Sequence, residues 1–181
     1  MPALLLTGLT CAELDSADGG RQQYRMRTAR VAALPLAALL WVVTILGTPL
    51  AASLPAARHG VFAVYRGASL ICHQKAERSF TIAGRQMPVC GRCVGLYAAG
   101  AMGAVAAWLA GRRSTSDPVT RVLVLGGAAV PMGLSVGLEL LGLQGSNTIR
   151  FASALPLGVV AGWLMEQVLL DEYRPSVATP E

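Results

Sequence analysis

LICHQKAERSFTIAGRQMPVCGRCVGLY, residues 70–97, holds three of the chain's four cysteines (Cys72, Cys90 and Cys93), one of its two histidines (His73) and its only lysine, Lys75. The sequence on either side of this stretch is mostly apolar. A polar insert rich in soft metal ligands, carried between apolar runs long enough to cross a bilayer, implies a membrane protein whose chemistry sits at one membrane face.

The composition agrees. Of 181 residues, 54% are hydrophobic and 14% charged, and the mean hydropathy is +0.52. Soluble domains carry about 25% charged residues, so a soluble enzyme or a nucleic-acid-binding domain is disfavoured. The formal charge of +5 comes from arginines beside apolar runs, where they meet lipid headgroups and bias topology. The expected partner is the lipid bilayer, with no nucleic acid; protein partners are open, a homo-oligomer among them. The location is the cell membrane. The cysteines form an uneven set, with Cys11 apart from the rest, and do not outline a disulfide framework.

Taken outward from the insert, four apolar runs are expected to cross the membrane. The first is Val31–Leu54, with Pro35 and Pro49 near its ends, preceded by a polar arm (residues 1–30) expected to be disordered. Met26 is a plausible start codon product, because MRTAR leads directly into this run. A cleaved signal peptide is the rival reading, but the run is long for one and no A-x-A site follows. The second run begins at or just before Cys93 and ends near Gly111, the third covers about Val122–Leu143, and the fourth runs from Arg150 to near Leu170, ahead of a tail at 171–181. The bundle thus occupies 31–170, with a polar loop at 55–92.

Glycine and alanine recur every four residues at Gly95, Ala99, Gly103 and Ala107, at Gly133 and Gly137, and at Gly158 and Gly162. Such small-residue stripes let helices approach closely. Within the loop, residues 61–71 have helical apolar spacing but are too few to cross, which predicts a short interfacial helix. SFTI, Ala83-Gly84 and RQMPV then resemble a hairpin. The fold class is therefore all-α, a multi-span helical membrane bundle of about four transmembrane helices with a short interfacial helix and a Cys/His-containing loop. The arginines Arg25, Arg27, Arg30, Arg112, Arg113 and Arg121 favour a cytoplasmic amino terminus, but this puts the equally basic 55–92 loop outside, so the net bias is slight.

Two functional readings follow from the cysteines. Cys-His-x16-Cys-x2-Cys supplies up to four soft ligands (Cys72, His73, Cys90 and Cys93), the number a tetrahedral zinc site needs. The alternative is a membrane thiol–disulfide oxidoreductase in which Cys90 and Cys93 exchange and Cys72 relays. A purely structural membrane protein is the third option, so the residues do not decide between an enzyme and a non-catalytic protein. Zinc is the expected cofactor, and Cys90, Cys93 and Glu139 are the catalytic candidates.

Glu139 lies inside the third run, where an unpaired carboxylate is costly. Span geometry puts it on the same face as the cysteines, together with Asn147 and Arg150, and Arg150 is its expected partner. Asn147, Arg150 and Arg92 are the cofactor-contact candidates. Arg78, Arg85 and Arg92 are headgroup or anion contacts, while Glu166 and Asp171 are expected to meet solvent at the opposite face.

Cys72-His73-Gln74, Glu77-Arg78-Ser79-Phe80, Gly84, Gln86 and Pro88-Val89-Cys90-x-Arg92-Cys93-x-Gly95, followed by Asn147 and Arg150, resemble the signature of a family of small bacterial and archaeal predicted membrane proteins, domain of unknown function 2085. The resemblance covers roughly residues 60–165. It implies a multi-span membrane protein and a shared polar site, and supplies no activity.

Overall fold

The computed structural model describes residues 11–111 and 117–172, with side chains from Val31 onward. Among the described residues the chain forms helices α1 (Cys11–Ala51), α2 (Arg58–Ser69), α3 (Gly91–Ala110), α4 (Pro118–Leu140) and α5 (Asn147–Glu172), with one antiparallel hairpin of β1 (Thr81–Ile82) and β2 (Arg85–Gln86). Four segments are long and apolar enough to cross a membrane: Val31–Ala51 within α1, and the whole of α3, α4 and α5. The protein is an all-α integral membrane bundle.

Helix α1 continues back to Cys11, into the arm for which the sequence suggests disorder. A crossing helix is already nucleated, so adding residues to its end avoids the cost of starting a new one. The first ten residues, Arg112, Arg113 and the tail beyond Glu172 lie outside the described residues.

The centre of the bundle is the crossing of α3 and α5. A Cβ added at Gly158 would lie 2.6 Å from the Leu96 carbonyl oxygen, and one at Gly95, Gly103 or Gly162 would strike the backbone of Phe151, Val159 or Gly100. The two helix backbones are nearly in contact, which is what a stripe of small residues permits. The stripe in α4 behaves differently: nothing lies within 4 Å of a Cβ at Gly133 or Gly137. The α5 face that such residues would need already holds α3. Instead α4 is tied by polar contacts near its two ends, Glu139 to Arg92 and Arg150, and Arg121 to Asp171 at 3.2 Å.

Glu166 corrects an expectation, for it is buried rather than solvated. It follows Ala154, Gly158 and Gly162 at four-residue steps on the α5 face that packs into the bundle, all of them buried. Outward faces carry Leu36, Leu40, Val43, Val122, Leu123 and Leu134, the exterior that lipid tails solvate.

On one end of this bundle rests the loop. Ile45 of α1, Ala68 of α2, and Met87, Val89 and Val94 form an apolar cluster with Cys72. Trp41 meets Tyr97 edge-on, with ring centroids 6.0 Å apart, and Phe80 meets Phe151 at 6.2 Å. The expected hairpin is present: Thr81 pairs with Gln86 and Ile82 with Arg85. Ala83 and Gly84 both have positive φ, at 51° and 73°, the backbone of a two-residue turn matched to strand twist.

Candidate metal centre

Cys72 sits just past α2, its amide still bonded to the Ala68 carbonyl at 2.9 Å. Cys90 is the N-cap of α3, with extended backbone (φ −73°, ψ 165°), and Cys93 follows in the first turn. A three-residue step on a helix start puts both sulfurs on one side. The hairpin returns the chain from Cys72 to Cys90, and the Cys90 amide donates to the Cys72 sulfur at 3.2 Å. The three sulfurs lie within 4.8 Å of one another, and those of Cys90 and Cys93 are 3.6 Å apart.

This spacing suits a shared metal ion. At a Zn–S distance of about 2.3 Å, two sulfurs on a tetrahedral metal stand about 3.8 Å apart. The cluster near the membrane face is therefore able to coordinate a metal, with Cys72 buried and the other two half-buried. His73 is exposed and lies outside the sulfur group, but lines the same cavity.

The Cys93 thiol can donate to an ionised Cys90 sulfur and holds the Cys90 thiol down to about 5 against its burial; the Arg92 and Cys93 amides at the helix start act the same way. A thiolate is the form that binds a metal or attacks a disulfide.

A polar latch holds the loop in shape. Gln74, at a positive φ of 48°, donates to the Tyr65 and Pro88 carbonyls, both at 2.8 Å. Gln86 donates to the Gln74 carbonyl at 2.6 Å, and the Tyr65 hydroxyl donates to the Gln86 carbonyl. Burial pushes the Tyr65 phenol up, with Arg85 opposing, so it stays a donor.

Beside the sulfurs lies a charged cluster. Glu139 accepts from Arg92 Nη2 and Arg150 Nε, each at 2.7 Å, and Arg78 Nη1 stands 3.8 Å from its other oxygen. Arg92 Nη2 also donates to the Ser135 hydroxyl at 3.0 Å. Arg150 Nη1 donates to Asn147 Oδ1 at 2.8 Å and the Glu77 carbonyl at 3.3 Å, while Asn147 Nδ2 donates to the Ser79 carbonyl at 3.0 Å. The expected convergence of Glu139, Asn147 and Arg150 with the cysteine loop is present, and the expected Glu139–Arg150 pair is joined by two further arginines. Arg85 is exposed on the hairpin.

Sequence reasoning missed Ser135 and the roles of Gln74, Gln86 and Tyr65. Ser135 precedes Glu139 by four residues, so helical spacing alone places both on one face of α4. The glutamine latch joins backbone carbonyls across a loop, and no residue pattern announces that.

The sequence profile of the family described as "Predicted membrane protein (DUF2085)" matches residues 72–164. The chain belongs to this family. The DUF2085 match begins at Cys72 and so takes in the sulfur cluster, the Glu139 network and the α3–α5 crossing. An uncharacterized protein of Methanothermobacter thermautotrophicus is 34% identical over 90 residues, covering 49% of this chain and 78% of that protein. An uncharacterized protein of Methanocaldococcus jannaschii is 35% identical over 105 residues, covering 57% of this chain and 62% of that protein, less than two thirds of its length. No solved structure matches the chain.

Proposed function

We propose that this DUF2085 protein binds zinc at one membrane face through the thiolates of Cys72, Cys90 and Cys93, with His73 as the fourth ligand. The sulfur spacing carries the reading: three thiols from two ends of a loop lie within 4.8 Å, with the Cys90–Cys93 distance of 3.6 Å near a tetrahedral edge. Thiolate-rich sets favour zinc among the common divalent ions. His73 lines the cavity next to Cys72, and to supply the fourth bond its exposed imidazole has to swing in toward the sulfurs. A closed four-ligand zinc site has a structural role, here pinning the loop to the start of α3.

Metal analysis of the purified protein tests this. About one zinc per chain is expected for one four-ligand site, with loss in Cys72→Ser, Cys90→Ser and Cys93→Ser and weaker retention in His73→Ala. Metal-free protein overturns the reading.

The low Cys90 thiol supports a second reading, thiol–disulfide exchange between Cys90 and Cys93 with Cys72 as relay. Under it the protein purifies without metal and carries a disulfide that a mild reductant opens.

A further inference from the structure

We propose that the cavity beside the sulfurs is an anion site for a phosphate group, either free phosphate or the headgroup of an anionic lipid. The cavity has a volume of about 290 Å³ and is lined by Lys75, Arg78, Arg92 and Arg150 together with the three cysteines and His73. That volume lies near the lower end for ligand pockets, which suits a small polar group.

The charge balance is the first argument. Four cationic side chains line the cavity, and Glu139 is the carboxylate that answers them. Glu77 presents its backbone carbonyl to Arg150, and its carboxylate is in no ion pair among the described residues. Zinc on three thiolates would bring one further negative charge, which still leaves a surplus of two. The inference rests on the zinc reading for that one charge only. The surplus is carried by exposed Lys75 and partly exposed Arg78, and a cleft lined by one sign of charge concentrates counter-ions within it.

The second argument is the positioning of Arg150, which is only 3% exposed. Its Nε is fixed on Glu139 and its Nη1 on Asn147 and Glu77. Among the described residues nothing accepts from Nη2, which is not among the buried unpartnered atoms. A guanidinium held on two nitrogens and free on the third is set to receive an oxyanion.

The third argument concerns access. Leu70 and Ile71, 86% and 57% exposed, stand at the rim of this loop, and Ile71 lines the cavity. Apolar residues beside a cationic cavity at the end of a bundle place it at headgroup depth, open both to lipid phosphate and to phosphate from water.

The test uses the full chain in maltoside detergent, at fixed ionic strength set with potassium chloride. Inorganic phosphate is titrated in one arm while melting temperature is read. In the other arm the protein is placed in phosphatidylcholine nanodiscs with and without phosphatidate. Lys75→Gln with Arg78→Gln is the variant, because Lys75 is exposed and the Arg78 side chain is held, among the described residues, only by its 3.8 Å contact. A saturable rise with phosphate, weakened about tenfold or more in the variant, supports the site and names free phosphate; a loss of one charge-assisted contact is worth about that factor. A rise only with phosphatidate, lost in the variant, supports it and names lipid. No rise in either arm, or a rise that the variant keeps, overturns it. Zinc content is measured on the same samples: zinc present without an anion response sinks this inference alone, and an anion response without zinc sinks the zinc reading alone.

Discussion

Arg92, in the first turn of α3, places Nη2 2.7 Å from Oε1 of Glu139, in the last turn of α4. The contact joins two residues 47 positions apart, on consecutive helices, and it does so one residue from Cys93. A single side chain thus couples the sulfur cluster to the packing of α4, the helix otherwise least embedded in the bundle.

Glu139 is the common acceptor for buried Arg150 and partly buried Arg92, so its charge should matter more than either of theirs. Glu139→Gln is expected to lower unfolding free energy by about 3–5 kcal/mol, the usual effect of leaving a buried charge unpaired. Arg78→Gln should cost about 0–1 kcal/mol, because Arg78 is 37% exposed and 3.8 Å away. The double variant Glu139→Gln with Arg150→Met should recover only part of the loss, since Arg92 remains unpaired. Reversible unfolding in mixed micelles measures all three. Full recovery in the double variant would show that Arg92 does not meet Glu139.

The two glycine stripes should respond differently to a methyl group. Gly162→Ala drives a Cβ into the Gly100 backbone, which cannot turn aside as a side chain can. A loss of about 1–3 kcal/mol is expected from such overpacking. Gly133→Ala meets open space and should stay within about 0.5 kcal/mol of the parent. Equal effects at the two positions would contradict the assignment of α3 and α5 as the central pair.

In metal-free, reduced protein the Cys90 thiol should react with iodoacetamide with a half-point near pH 5, where the Cys93 donor holds it, against about 8.5 for an ordinary cysteine. Because the folded value is the lower one, ionisation of Cys90 favours the folded state. That contribution is complete above the unfolded thiol's pKa and is lost as pH falls through about 5. Cys93→Ala should move the half-point upward. A half-point above 8 in the parent would contradict the sulfur geometry.

Much of this was legible in the residues. The span count, the hairpin at Ala83-Gly84 and the meeting of Glu139 with the cysteine loop follow from hydropathy, turn chemistry and the alternation of span direction. Glu166 was readable too, since it continues the Ala154, Gly158, Gly162 spacing, but its charge suggested solvent while its position on the helix put it inside. The partner of each small-residue stripe was not legible: Gly133 and Gly162 sit in similar local patterns, and only the arrangement of helices distinguishes them. Nor could residue spacing show that Glu139 gathers three arginines, because Arg78 and Arg92 reach it from a loop and a separate helix.

X-ray absorption at the zinc edge of the purified, zinc-loaded protein tests the central claim most directly. The account predicts a first shell of about three sulfurs at about 2.3 Å and one nitrogen at about 2.0–2.1 Å, with one sulfur lost in Cys72→Ser. A shell made only of nitrogen and oxygen, or protein that takes up no zinc and holds a Cys90–Cys93 disulfide, would contradict it.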